Sequence, residues 1–407
     1  MSPSIVNALY SFLSFSLKSL SGLILPFVVS RVLGTDFFSA FSLYLIVGSA
    51  FLVLCEYGSI FWMPNLSQKK ASDLTTQFHS ELFCEALNAR IVITVIIALF
   101  LAMLVFFERL SFTDYMLILA IVLYSFFSLF YYNFRSFGLF KSELGLSLKI
   151  EIPAFLIPVF CLLMFSNYEF FVLTFFGVRL CLILVLFRIY QVNPRFSISA
   201  TFKTLHARFF YFSQVAISFT VLYVDTFFVK YFYPGELYLH QGFLRLSLLF
   251  CLFVPIVNSV LLYYMRVRYE ESIELYFNFF KRLAFFSALV SIGFAVFSLA
   301  TFSLFVNYLL GAEYAELHRF SLEFSLIIFL KYLSTVFGLH LTVIGLQSLR
   351  ARVLLGSFLV GCVGFYFSYS MLDFSYVFVL LMLFNLLIFA CYCFAYFKQK
   401  SGAIFLH

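Results

Sequence analysis

The chain has 407 residues, of which 64% are hydrophobic and 11% charged, whereas soluble domains are about 45–50% apolar and about 25% charged. Because no compact core could hide so much apolar surface from water, this composition excludes a soluble enzyme, a disulfide-rich secreted domain and a disordered chain. With about 20 apolar residues per span, the sequence predicts an all-α integral membrane protein with about a dozen spans and no separate soluble domain.

Long apolar runs without period-2 alternation mark the individual spans and exclude a β-barrel. Twelve transmembrane helices are predicted, over residues 5–29, 37–61, 84–107, 114–132, 147–166, 170–190, 209–231, 237–264, 282–306, 319–345, 350–371 and 374–396. The longest polar interruption, residues 191–208, falls at the midpoint of the chain. It predicts two six-helix bundles, an N-terminal one over residues 1–195 and a C-terminal one over residues 196–407.

The basic residues are distributed unequally between alternate loops. One set of loops and flanks carries 18 of the 26 Lys and Arg residues, the other set carries 4, and the remaining 4 lie within spans. The positive-inside rule therefore predicts that both termini lie in the cytoplasm. Because topology accounts for these basic loops and for the net charge of +7, no nucleic-acid binding is predicted.

The first span carries a polar stripe on an otherwise apolar helix. Spacings of three and four residues place its members on one face, namely Ser4, Asn7, Ser11, Ser14, Lys18 and Ser21. Such a stripe is expected to line water or a polar ligand. The alternative, that small serines let helices pack closely, explains the serines but not Lys18.

Other charges lie inside predicted spans, where each costs at least about 2.5–3.5 kcal/mol on insertion scales. Lys18, Arg179 and Lys331 are near mid-membrane, so the deep interior is rich in cations and suits an anionic ligand such as a phosphate. Arg179, which stands alone in its span, is interpreted as structural. Asp225 and Arg245 lie at similar depth on adjacent antiparallel spans, which predicts an ion pair between them.

Catalytic and metal-binding motifs are absent from the sequence. It has no Walker loop, no nucleophile elbow and no H-E-x-x-H pair. Its eight cysteines lack disulfide or zinc spacing and are expected to be reduced packing residues. The sequence thus predicts a protein that is not an enzyme and that has no cofactor and no metal site.

Two segments resemble the polysaccharide-exporter branch of the multidrug/oligosaccharidyl-lipid/polysaccharide (MOP) flippase superfamily, most closely the O-antigen flippases of the Wzx type. The first is the pattern Leu25-Pro26, Arg31 and Gly34 at the end of span 1, followed by the apolar run that leads to Glu56 and Gly58 near the end of span 2. The second runs from Asp225 to Lys230 and continues with Arg245 and Pro255. The segment Phe38-Ser39-Ala40 departs from the family pattern, which usually has a Tyr-Gly pair there.

The resemblance implies two bundles forming a V-shaped cavity, in a multi-pass protein of the bacterial inner (plasma) membrane. The implied cargo is an undecaprenyl-pyrophosphate-linked oligosaccharide, with membrane lipids and other polysaccharide-assembly proteins as further candidate partners. Lys18, Arg245 and Lys331 would hold the pyrophosphate. The serines of span 1, Ser11, Ser14 and Ser21, would face the sugar, and Asp225 and Glu56 are candidates for ion coupling.

Two other functions remain open at this stage. A multidrug antiporter of the MATE type would require an acidic site for cationic cargo, which the cation-rich interior disfavours. A membrane-embedded polysaccharide polymerase would require a large external loop or an acidic catalytic motif, and the predicted external loops are short.

Overall fold

The computed structural model describes residues 3–59, 63, 81–192 and 198–400. Regular structure in these residues is entirely helical, with no strand among them, which confirms the all-α prediction. The chain separates into two compact units, Met1–Phe219 (unit 1) and Thr220–His407 (unit 2). This division falls within one long helix, whereas the sequence placed the boundary at residues 195/196.

The described residues of unit 1 form seven helices and the first part of an eighth. They are α1 (Pro3–Leu23), α2 (Leu25–Leu33), α3 (Thr35–Glu56), α4 (Glu81–Phe106), α5 (Phe112–Ser136), α6 (Phe140–Phe165), α7 (Tyr168–Ile189) and α8 (Ile198–Phe232). Helix α5 lies at the centre of the unit and packs against α3, α4 and α7, while α1 packs along α6.

Local sequence signals explain several helix ends in unit 1. The Ser111 hydroxyl accepts a hydrogen bond from the Asp114 amide at 3.1 Å at the start of α5, and the Asn167 side chain accepts one from the Phe170 amide at 2.9 Å at the start of α7. Both are N-caps of the usual kind. Gly34, with φ +89°, separates α2 from α3 in a conformation that L side chains rarely adopt.

Unit 2 begins with the last part of α8. It continues with α9 (Leu237–Phe250), α10 (Phe253–Glu271), α11 (Ile273–Phe305), α12 (Ser321–Val343), α13 (Gln347–Met371) and α14 (Val377–Lys400). Short 3₁₀ and π segments connect some of these helices, at Pro234–Glu236, Val306–Leu310, Ala312–Phe320 and Phe374–Tyr376. Two predicted loops are therefore largely helical, because residues 307–318 form π and 3₁₀ turns and residues 198–208 begin α8.

Ten helical segments of the described residues are long and apolar enough to cross a membrane. The two other predicted spans, 5–29 and 237–264, correspond to helices that break. The first changes from α1 to α2 at Ile24, and its polar stripe lowers its mean hydropathy; the second changes from α9 to α10 near Cys251. Large apolar side chains such as Phe106, Phe285 and Phe394 are exposed, as expected for a surface whose solvent is lipid.

Candidate functional site

A highly charged buried site among the described residues of unit 1 surrounds Glu143, in the first turn of α6. Its carboxylate is fully buried and forms ion pairs with Lys18 of α1 and with Arg135 of α5, the latter at 2.7 Å. The Lys18 side chain is 12% exposed and that of Arg135 20%. Two basic groups share one carboxylate, so the Glu143 cluster (Lys18, Arg135 and Glu143) carries one excess positive charge.

The polar stripe of α1 faces this cluster through its central members. The Ser14 hydroxyl is buried and donates to Glu143 at 3.3 Å, and it lies 2.7 Å from the Ser147 hydroxyl. Ser11 is buried, and Asn7, one turn earlier, is exposed. The side chain of Ser21 lies outside the described residues. The stripe therefore packs against α6 around Ser14, so both sequence interpretations hold in part: serine packs closely, and Lys18 has a specific charge partner.

A second buried carboxylate, Glu151, lies two turns further along α6. It accepts hydrogen bonds from the hydroxyls of Tyr131 at 2.8 Å and Tyr124 at 3.2 Å. The Lys18 ammonium lies 3.8 Å from the centre of the Tyr131 ring, in a cation–π contact. Tyr131 thus connects the Glu143 cluster to Glu151.

Arg179 is buried in α7 and held by main chain and rings. It donates to the carbonyl of Ala120 at 2.7 Å, and its guanidinium lies 4.0 Å from the Phe175 ring centre. Both contacts are internal to unit 1, and they agree with the interpretation of Arg179 as a structural residue.

Glu56, a predicted coupling residue, lies at the last position of α3. The Tyr132 hydroxyl lies 3.3 Å from both of its carboxylate oxygens. Arg90 of α4 is within electrostatic range of Glu56 but forms no ion pair with any described carboxylate within 4.0 Å. Glu56 therefore contacts the Tyr132 hydroxyl and lies near the Arg90 guanidinium.

In unit 2 the predicted Asp225–Arg245 ion pair does not form. Asp225 instead contacts His240 of α9, with the Nε2 and carboxylate oxygen 2.7 Å apart, and both side chains are buried. The expectation that the end of α8 and the start of α9 run side by side is correct. Arg245, however, lies five residues beyond His240, which is more than one helical turn deeper and on another face of α9.

The two predicted cations of unit 2 lie on facing helices. The Lys331 ammonium of α12 donates to the buried hydroxyl of Ser247 of α9 at 2.9 Å. Arg245 is also buried on α9 and is within electrostatic range of Tyr223. Lys331 forms no ion pair within 4.0 Å with a described carboxylate, so its charge is compensated by neutral dipoles.

The sequence analysis missed three of these residues. It assigned Arg135 and Glu143 to a loop between spans, and it counted Arg90, near the start of the predicted span 84–107, among the flanking basic residues that set the topology. Helix α5 extends to Ser136 and α6 begins at Phe140, so the predicted loop shrinks to three residues and carries Arg135 and Glu143 into the helices. The recognisable signal was the run of i, i+4 positions Glu143, Ser147 and Glu151, which places three polar groups on one face of α6.

Neither a family model nor a curated protein sequence matches this chain. Solved structures do match. A MOP superfamily transporter from Pyrococcus furiosus, whose binding pocket of reversed polarity suggests a different function, has a TM-score of 0.68 at 12% identity, with 98% of this chain and 96% of that chain covered. A multidrug-resistance MATE transporter in an outward-facing conformation has a TM-score of 0.66 at 11% identity, with 98% and 96% covered.

The eukaryotic MATE transporter AtDTX14 has a TM-score of 0.62 at 11% identity, and 98% of each chain is covered. The chain therefore has the fold of MATE transporters of the MOP superfamily, along essentially its whole length. These neighbours are transporters and not enzymes, which agrees with the absence of catalytic motifs in the sequence.

Proposed function

We propose that this protein is a lipid-linked oligosaccharide flippase, which moves undecaprenyl-pyrophosphate-linked O-antigen or polysaccharide repeat units across the bacterial inner membrane by alternating access. The observation that carries the proposal is the Glu143 cluster. Two basic side chains share a single buried carboxylate there, and the resulting excess positive charge suits a pyrophosphate.

The solved neighbours support this proposal indirectly. Among transporters of this fold, the Pyrococcus furiosus protein has a binding pocket of reversed polarity that suggests a different function. The fold is therefore compatible with binding pockets of positive or negative charge. The sign of the buried charge is then the property that distinguishes an anionic from a cationic cargo. Among the described residues of unit 1, buried or partly buried basic groups outnumber the acidic groups near them (Lys18, Arg90, Arg135, Arg179 and Arg208 against Glu56, Glu85, Glu143 and Glu151).

Each predicted residue has a role in this mechanism. Lys18 binds the pyrophosphate in unit 1, Arg245 and Lys331 are the anion contacts of unit 2, and Ser11, Ser14 and Ser21 contact the sugar. Asp225, now with His240, and Glu56 are the candidates for ion coupling. The lipid tail of the cargo stays in the membrane, and polysaccharide-assembly proteins are the expected partners.

The proposal includes twelve spans with both termini in the cytoplasm, of which α1–α2 and α9–α10 are broken spans. Reporter fusions after residues 70, 140, 200, 275 and 400 should report cytoplasm, and fusions after residues 34, 111, 235 and 313 should report periplasm. A periplasmic signal at residue 200 would contradict this topology, because every later span would then be inverted.

Lys18 provides the direct test of cargo binding. Lys18→Ala leaves Glu143 paired with Arg135, so the protein should reach the membrane in near-normal amounts while surface polysaccharide is lost. Lys18→Arg should restore part of the transport, since it keeps the charge. Lys141→Ala removes an exposed lysine from the start of the same α6 and serves as the matched control, with transport unchanged.

A fall in the abundance of the Lys18→Ala protein, with surface polysaccharide reduced in proportion, would instead make Lys18 a structural residue. It would remove the cargo contact from the proposal.

A MATE-like antiporter is the second candidate, because the buried carboxylates Glu151 and Asp225 could bind a cation or a proton and the solved neighbours include MATE transporters. Proteoliposomes distinguish the two functions. A flippase should translocate a fluorescent polyprenyl-pyrophosphate saccharide and fail to exchange a cationic dye against a pH gradient, and an antiporter should do the opposite.

A further inference from the structure

Arg90 is a buried charge whose hydrogen-bonding capacity is unused. The residue is 1% exposed, and none of its three guanidinium nitrogens has a hydrogen-bond partner among the described residues. A guanidinium carries five donors in a fixed fork, and a buried polar group without a hydrogen-bond partner is unfavourable. Such a group indicates that a ligand is bound in the functional state.

The neighbouring acidic groups do not fill this role. The carboxylate of Glu56 accepts from Tyr132 and forms no ion pair with Arg90 within 4.0 Å. Glu85 is partly exposed and reaches only Arg208, at 3.9 Å. Neither carboxylate therefore accepts a hydrogen bond from the guanidinium of Arg90.

A second arginine lies close to the first. Arg208, near the start of α8, is 2% exposed and within electrostatic range of Arg90. It precedes the apolar stretch of α8, which starts at Val215. Burial, together with the neighbouring Arg90 guanidinium, lowers the pKa of Arg208. Two like charges brought together away from water repel each other unless an anion lies between them.

Two side-chain contacts join this part of α8 to the neighbouring helices of unit 1. The Asn88 amide of α4 donates to the hydroxyl of Thr201 at 2.9 Å, and the ring of Phe212 stacks on Tyr57, the residue after α3, with centroids 4.4 Å apart. The contacts lie on both sides of Arg208 along the helix. They keep this part of α8 near the end of α3 and near α4, the helix that carries Arg90.

We propose that Arg90 and Arg208 form a binding site for a phosphate group, at the end of unit 1 where α3 ends and α4 begins. The planar guanidinium matches a phosphate in a bidentate arrangement. The phosphate comes from an anionic lipid headgroup or from free phosphate. The site is separate from the Glu143 cluster, and its existence does not depend on the cargo proposed above.

The test measures thermal unfolding of the full-length protein in lipid nanodiscs. A ligand that binds only the native state raises its stability in proportion to the logarithm of its concentration above Kd. One series uses neutral phosphatidylcholine discs titrated with inorganic phosphate against sodium chloride of equal ionic strength. The other uses discs with increasing phosphatidylglycerol and no added phosphate.

The wild-type protein should be stabilised in at least one series. Arg90→Gln should weaken the apparent affinity in that series at least tenfold, and Arg208→Gln should weaken it as well. Arg179→Gln, a buried arginine with its own carbonyl partner, and Arg266→Gln, an exposed one, should leave it unchanged. Stabilisation by phosphate identifies a free ion as the ligand, and stabilisation by phosphatidylglycerol alone identifies a lipid headgroup.

Arg90→Met tests whether Arg90 binds a ligand or is only a buried charge that the fold tolerates without a ligand. Without phosphate or anionic lipid this variant should unfold at a temperature close to that of the wild type, because the guanidinium that it removes has no hydrogen-bond partner among the described residues and Glu56 keeps its contact with Tyr132. It should gain nothing from the ligand. The proposal is overturned if neither series stabilises the wild type, or if wild type and Arg90→Gln respond equally. Should Arg90→Gln fail to fold, the wild-type titrations and Arg208→Gln decide the question.

Discussion

The two units balance their buried charges in different ways. In unit 1 a buried carboxylate, Glu143, is shared by two basic side chains, Lys18 and Arg135. In unit 2 the buried carboxylate Asp225 contacts a single side chain, the imidazole of His240, and the cation Lys331 donates to the hydroxyl of Ser247.

The difference lies in the number of charge partners. In the Glu143 cluster two cationic groups face one carboxylate, and this excess of positive charge favours an anion. In unit 2 the described contacts are one-to-one, between Asp225 and His240 and between Lys331 and Ser247. The following predictions test this difference, from the largest expected effect to the smallest.

The Glu143 cluster should depend most strongly on its carboxylate. Glu143→Ala leaves two buried cations facing each other, so we expect a loss of about 3–5 kcal/mol in the free energy of unfolding, read from thermal unfolding and membrane abundance. Glu169→Ala, in the exposed first turn of α7, is the control. Unchanged stability in Glu143→Ala would show that the cations do not require this partner.

The Asp225–His240 contact should behave as an isolated pair. We expect Asp225→Asn to cost about 1.5–3 kcal/mol, the usual contribution of a hydrogen bond to a charged group. A double-mutant cycle with His240→Asn should give a clear coupling energy, whereas the cycle of Asp225→Asn with Arg245→Met should give almost none. A large coupling energy between Asp225 and Arg245 would instead support the ion pair that the sequence predicted.

Two glycines, one in each unit, lie where a neighbouring helix approaches most closely among the described residues. A Cβ at Gly48 of α3 would lie 2.6 Å from the Ile121 side chain of α5, and one at Gly361 of α13 would lie 2.4 Å from the Phe384 ring of α14. Alanine at either position should destabilise the protein by about 1–3 kcal/mol through overpacking. Gly364→Ala, where nothing lies within 4 Å, should be neutral in the same unfolding assay, and a loss there as large as at Gly361 would argue against this explanation.

Lys331 should contribute least to stability and much to transport. Lys331→Met loses one hydrogen bond to Ser247, worth about 1 kcal/mol, and removes a buried charge, so the unfolding temperature should change little. Transport of an anionic cargo should nevertheless fall strongly. A variant with normal transport would exclude Lys331 from the cargo contacts of unit 2.

The sequence by itself determined the class of the protein and the approximate course of its helices. Apolar runs are local, so composition and hydropathy were sufficient to predict an all-α membrane protein, and each predicted span coincides with helix in the described residues. The helix breaks at Ile24 and near Cys251 were not predicted, because a break within an apolar run barely changes hydropathy. The resemblance to the MOP superfamily agrees with the fold of the solved neighbours.

Only the tertiary structure decided which charges meet. Lys18 was identified from its polar stripe, but its partner Glu143 is 125 residues away, and helical periodicity carries no information about which helices are neighbours. The same limit explains Asp225. Depth alone made Arg245 a plausible partner, whereas the rotation of α9 about its axis places His240 beside the carboxylate. Pairing of buried charges depends on helix packing, which a single sequence does not specify.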